Sequence, residues 1–199
     1  MASGSNGPDG RRAERAKIVE AAYRLLAVDG ASASVTDILA QAGLGTRAFY
    51  RLFDSKDELL LTMFRSDGDR ALGDMEADAA RAPNGRIALH GWLGALLHVA
   101  GDPTRRPRVA VLLSDEVMRA QGYTAERKHY DERQERGLRA LLDRGRQDGS
   151  LPRADPDNDT QWVRALMDRG FEQAIALPEG ADVAPLVASL LNFVDRALC

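Results

Sequence analysis

Arg47, Tyr50, Arg51 and Lys56 lie close together in the stretch TRAFYRLFDSKDELL at residues 46–60. Arginine offers a planar fork of donors that bonds guanine in bidentate fashion, while tyrosine hydroxyl and lysine ammonium groups bond phosphate oxygens. On a helix, Phe49 and Phe53 share one face, Arg47 and Arg51 share the opposite face, and Tyr50 lies between them near one edge. The pattern therefore suits recognition of an anion or a base edge. It also suits an ordinary packed helix whose arginines are merely solvated, since most surface arginines do nothing specific.

Bond-making chemistry finds little support elsewhere. Ser114, Asp115 and Glu116 are adjacent but lie on no nucleophile elbow, and no glycine-rich phosphate loop is present. Surface or capping roles are expected for them. The three histidines, His90, His98 and His129, are scattered without metal-binding spacing, and the one cysteine, Cys199, permits neither an intrachain disulfide nor a cysteine cluster. No enzyme activity, metal or cofactor is expected. The lone cysteine fits a reducing cytoplasm. No apolar run is long enough to span a bilayer, and the polar, glycine-rich start lacks the apolar segment of a secretion signal.

The elements that must position the basic cluster read as helices, because apolar residues recur every three or four positions and strand signals are almost absent. Residues 1–10 read as a disordered tail. A first helix is expected over about Arg11 to Val28, with Ile18, Val19, Ala22, Leu25 and Leu26 on one face and Asp29-Gly30 as its stop. Ser34 is a good N-cap for VTDILAQA, Gly43 turns the chain, and a short helix follows from about Gly45 to Phe53. Ser55 can cap a long helix running to Arg81, before the break APNG. Later helices are expected at about 86–100, 107–121, 124–147, 157–177 and 181–198. The sum is an all-α chain of about nine helices.

Charge is unevenly placed. The formal net charge is −3, yet residues 11–56 hold eight basic side chains against five acidic ones. A basic module joined to an acidic body follows. Two short helices joined by a tight Gly43 turn form a helix-turn-helix arrangement, whose second helix has the width to enter a DNA major groove.

The stretch SVTDILAQAGLGTRAFYRLFDSKDELL, residues 34–60, resembles the DNA-binding signature of the TetR family of transcriptional regulators. The turn glycine, the aromatic at 49, Tyr50, Phe53 and the Ser55-Lys56 pair stand in register, and the chain length and helical plan are similar too. The resemblance implies that Thr36, Thr46, Arg47, Tyr50, Arg51 and Lys56 face double-stranded DNA, with Tyr50 and Lys56 on phosphates and Arg47 and Arg51 on bases. Two positions depart from the pattern. Many relatives have a small residue at Arg47 and often a histidine where Leu52 stands, and leucine cannot bond phosphate.

The same resemblance implies a DNA-binding domain over 11–56 and a ligand-binding and dimerisation domain over 57–199. Met63, Phe64, His90, Trp92, Leu97, Met118, Trp162, Met167 and Phe171 supply surface suited to a largely apolar small-molecule effector, although their helical spacing suits core packing equally. Val163, Leu166, Gly170 and Ala174, with Val183, Leu186, Val187, Leu190 and Val194 on the last helix, form apolar stripes that could pair two protomers as a four-helix interface. The expected function is a homodimeric repressor that binds a palindromic operator and is released by the effector. The alternative is a helical small-molecule sensor or carrier that acts through a protein partner.

Overall fold

The computed structural model describes residues 7–29, 33–178 and 180–199, with no side-chain description for residues 28 and 29. Among the described residues the chain forms ten helical segments and no strand. They are α1 (Pro8–Asp29), α2 (Val35–Ala42), α3 (Thr46–Tyr50), α4 (Lys56–Arg81), α5 (Gly85–Gly101), α6 (Arg106–Leu112), α7 (Asp115–Met118), α8 (Tyr123–Gln147), α9 (Pro156–Ala176) and α10 (Ala184–Leu198).

Local signals account for most boundaries. Ser34 Oγ accepts from the Asp37 N–H at 3.2 Å and the Asp37 carboxylate accepts from the Ser34 N–H at 3.1 Å, a reciprocal capping box that starts α2. Gly43, at φ 65°, ends α2, and the Leu44 N–H reaches back to Leu39 O at 3.0 Å. This Schellman geometry favours a residue without a β-carbon. Ser55 Oγ accepts from the Glu58 N–H at 3.1 Å, which opens α4.

Two expectations change. Pro8, Asp9 and Gly10 belong to α1 rather than to a tail; residues 1–6 and Gly30 lie outside the described residues. The helix expected over 107–121 is broken in two, because Ser114 leaves the helical path and caps α7. That capping is the role its type suggested.

The chain divides into two compact units. The first comprises residues up to Ser66 together with Pro107–Glu126, and so takes in α7 and most of α6. Its core contains Ile18, Ala22, Ile38, Phe49, Phe53, Leu59 and Met63. Phe49 and Phe53 stack obliquely at 5.5 Å, and the Arg15 guanidinium covers Phe53 at 4.7 Å while donating to Thr62 Oγ1 at 3.0 Å. This clamp fixes α1 to the start of α4.

The second unit comprises Asp67–Arg106 and Arg127–Cys199. Its core includes Leu72, Leu89, Trp92, Leu93, Leu138, Leu142, Met167 and Val194. α5 packs on α9 and α10. α5 also meets α8 so closely at Gly85 and Gly145 that a β-carbon on Gly85 would stand 2.2 Å from the Gly145 backbone nitrogen. The buried Arg164 ties α9 to α8, donating to Asp131 at 2.7 Å and to Asp168 at 2.9 Å.

Candidate nucleic-acid interface

α3 is only five residues long, and one side chain governs its orientation. Phe49 is fully buried, so rotation about the helix axis is fixed and the residues on either side must point away from the core. Tyr50, the next residue, is 61% exposed. Its ring meets Phe49 edge-on at 5.3 Å, which steadies the phenol without covering its hydroxyl end. Thr36, Thr46, Arg47 and Arg51 are exposed as well, and Lys56 is half-buried. The solvent side of α2–α3 thus presents the side chains expected to meet DNA.

Their electrostatic state differs from one residue to the next. Arg51 forms an ion pair with Glu14 of α1, and Lys56 one with Glu116 of α7. Neither pairing has a sequence signal, because the partners are far apart along the chain. Leu52 is half-buried, and its carbonyl accepts from Arg15 at 3.3 Å, so this position supports the α1 clamp. Asp37 serves the fold: the Ser34 hydroxyl, and then its N–H, hold the Asp37 carboxyl below its usual range.

Residues 18–63 match the family model described as bacterial regulatory proteins, tetR family. The N-terminal module is thus of the tetR type. The match spans the Ile18-to-Met63 segment and so includes α2, α3 and the opening of α4. Solved structures similar in fold over nearly the whole chain include the transcriptional regulator FadR from Bacillus subtilis in complex with stearoyl-CoA. It shares 19% identity, covers 92% of this chain and 99% of that one, and has a TM-score of 0.75. A TetR transcription regulator from Haloarcula marismortui shares 22% identity over 94% and 98% of the two chains, with a TM-score of 0.76. GusR from Salmonella enterica shares 18% over 98% and 99%, also with a TM-score of 0.76. No curated protein sequence matches the chain.

The candidate effector residues fall in both compact units. Met63 and Phe64 are buried and Met118 is exposed in the first unit. In the second unit Trp92, Leu97 and Met167 are buried, Phe171 packs against the same core, and Trp162 is 65% exposed. Trp162 and Met118 are thus exposed rather than enclosed. His90 stands at the edge of α5, with Nε2 2.7 Å from Asp195 Oδ1; Arg86 holds the same carboxylate at 2.6 Å. The Arg86 guanidinium, aided by His90, holds the Asp195 carboxyl below its usual range. Trp92 Nε1 is buried without a hydrogen-bond partner.

The apolar stripes of α9 and α10 pack largely inside the protomer. Val163, Gly170, Ala174, Val183, Val187 and Val194 are buried within the protomer itself, and Leu166, Leu186 and Leu190 are half-buried. Gly170 faces Leu97 of α5 and Leu190 of α10. These residues build the second unit's own core. The outer faces carry a different set: Trp162, Ala165 and Arg169 on α9, and Pro185, Ala188, Ser189 and Phe193 on α10. Their spacing of three and four residues makes each a continuous stripe.

Proposed function

We propose that the chain is a homodimeric repressor that grips a palindromic operator through two α2–α3 modules and lets go when a small molecule binds the later helices. The observation that carries the DNA contact is the contrast between the buried Phe49 and the exposed Tyr50 beside it. With the helix locked by one ring, Arg47 and Arg51 are presented for base edges and Tyr50 and Lys56 for phosphates. A twofold dimer would place two such helices about 34–36 Å apart, or a multiple of that, to meet successive major grooves.

Dimerisation is assigned to the outer faces of α9 and α10. Trp162 and the 50% exposed Phe193 are large apolar groups flanked by Ala165, Ala188 and Ser189, small residues that permit close helix approach. The effector is assigned to the second unit near Trp92, Leu97, Met167 and Phe171. A buried indole N–H without a partner is costly, and a ligand acceptor would relieve that cost. A largely apolar molecule with a polar group fits this lining, and the acyl-CoA bound by the Bacillus subtilis relative is of that type. A ligand that prefers one dimer geometry shifts the population and lowers operator affinity reciprocally.

The test is selection from random duplexes followed by fluorescence anisotropy on the enriched site. Tyr50→Ala should weaken every sequence alike. Arg47→Ala should cost about 1–3 kcal/mol on the selected site and relax the preference at one base pair. Wild-type binding by the Arg47, Tyr50 and Lys56 alanine variants together would show that the DNA surface is wrongly assigned. Failure to enrich any palindrome with folded dimer would favour a sensor acting through a protein partner.

A further inference from the structure

We propose that Glu116 sets the affinity for DNA by occupying Lys56, so that operator binding has to compete with an ion pair inside the protein. The proposal rests on the assignment of Lys56 to a phosphate. Lys56 is the first residue of α4, and Glu116 lies in the first turn of α7. The Glu116 side chain is 12% exposed and that of Lys56 27%. Only one Glu116 oxygen is used, since Oε2 is buried without a hydrogen-bond partner.

This contact does not stand alone. The Gln121 N–H donates to Asp57 Oδ2 at 2.9 Å, Gly122 lies against Leu61, Tyr123 meets Phe64 ring-to-ring at 5.3 Å, and Glu126 receives Arg65 at 3.1 Å. The chain from Glu116 to Glu126 thus runs as a strap along the first three turns of α4, all within the first compact unit. The strap fixes the carboxylate over the ammonium group at the end of α4 that borders the DNA module. Chance surface pairing would not require this registry.

A phosphate arriving at Lys56 meets two costs. Drawing the ammonium away leaves a largely buried carboxylate with neither oxygen paired, and an unpaired buried charge is strongly unfavourable. Sharing the ammonium instead brings two anions together in a poorly solvated place. Either way Glu116 opposes binding. Arg51 is held in the same manner by Glu14, whose side chain is 14% exposed. Any displacement of the strap that lifts Glu116 frees Lys56 for DNA, so the strap's position and the DNA affinity are coupled.

The experiment uses the full chain and a fluorescein-labelled random-sequence duplex of about 30 base pairs, whose binding is driven by phosphate contacts. Wild type, Glu116→Gln, Lys56→Ala and the double variant are titrated by anisotropy across a salt series, with a melting curve for each. Glu116→Gln is expected to bind about three- to tenfold tighter. Lys56→Ala is expected to weaken binding by a larger factor in the Glu116→Gln background than in wild type, and there to reduce the salt slope by about one. Wild-type affinity for Glu116→Gln, with Lys56→Ala still weakening binding, overturns the proposal and leaves the phosphate assignment standing. No effect of Lys56→Ala in either background overturns the phosphate assignment and the proposal with it. Should Glu116→Gln melt early, Glu116→Asp, which draws the charge back from Lys56, must also tighten binding; wild-type affinity there overturns the proposal.

Discussion

Replacing Gly85 by alanine should destabilise the second unit severely, whereas the same change at Gly91, two turns along the same helix, should stabilise it. A β-carbon on Gly85 would lie 2.2 Å from the Gly145 nitrogen, 2.3 Å from the Gly145 α-carbon and 2.9 Å from the Arg144 carbonyl carbon. All three are backbone atoms of α8, so no side chain can swing aside, and the helix crossing itself must open. The loop that positions α5 resists such opening, since Asp148 accepts from the Gly85 N–H at 2.7 Å and Ser150 from the Arg86 N–H at 3.0 Å. Overpacking against a yielding neighbour costs about 1–3 kcal/mol, and an unyielding backbone puts this site at the upper end, about 3 kcal/mol. At Gly91 a β-carbon meets nothing within 4 Å, and the helix-interior change from glycine to alanine favours folding by about 0.5–1 kcal/mol. With roughly 2–4 °C of melting temperature per kcal/mol in a chain of this size, Gly85→Ala should melt about 6–12 °C below wild type and Gly91→Ala a few degrees above. Circular dichroism melts of the three proteins decide the matter. Equal melting temperatures for the two variants would refute the claim that α5 and α8 meet backbone to backbone.

Three further outcomes follow from the structure. Ser34→Ala removes one half of the α2 capping box and should cost about 1 kcal/mol in urea denaturation followed by helical signal, with DNA affinity falling only as α2 frays. The Asp195 carboxyl is held below its usual range by Arg86 and then His90, so its contribution is present above the unfolded carboxyl pKa and is lost as pH falls through the lower folded value. Arg86 is 44% exposed, which limits that contribution to under about 1 kcal/mol; Asp195→Asn should flatten this part of the acid limb in denaturation curves taken below about pH 4. Phe193→Glu places a charge on the outer face of α10 and should shift the proposed dimer to monomer in sedimentation velocity while leaving the melting curve cooperative; an unchanged dimer would remove this face from the interface.

The legible parts of the fold are those written in local chemistry. Ser34, Gly43 and Ser55 each act on backbone groups within a few residues, so α2, its turn and the start of α4 could be placed from types alone. Phe49 and Phe53 likewise had to share a face, which fixed the outward direction of Arg47 and Tyr50. What escaped was what depends on distant partners. The periodicity of α9 and α10 marked an apolar stripe on each, but a stripe does not say what covers it, and α5 turned out to cover both. The outer stripes, with Trp162 and Phe193 among small and polar residues, have a weaker apolar pattern that periodicity alone does not single out. Glu14 and Glu116 read as ordinary solvated acids until folding carried them to Arg51 and Lys56. The break between α6 and α7 was hidden for a related reason: Ser114 sits in a pattern that suits a continuous helix equally well.

These internal pairs change how the charge of the chain bears on DNA. The excess of positive charge in residues 11–56 suggests a strong electrostatic grip, but part of it is already engaged: Arg15 on Phe53 and Thr62, Arg24 on Glu20, Arg51 on Glu14 and Lys56 on Glu116. Sequence-independent affinity grows with the number of phosphates neutralised, each contributing about 0.9 to the salt slope. Cations that must first leave a partner add less to that term. Base contacts are unaffected by such competition when they come from an exposed group such as Arg47. Under the assignments proposed above, pairing of Lys56 lowers the non-specific background while Arg47 keeps its base contact and Arg51 must first leave Glu14, and the ratio of specific to non-specific binding is what lets a regulator find one site among many. For a protein of net charge −3, selectivity obtained by restraining its own cations is consistent with an acidic body that already repels DNA outside the contact face.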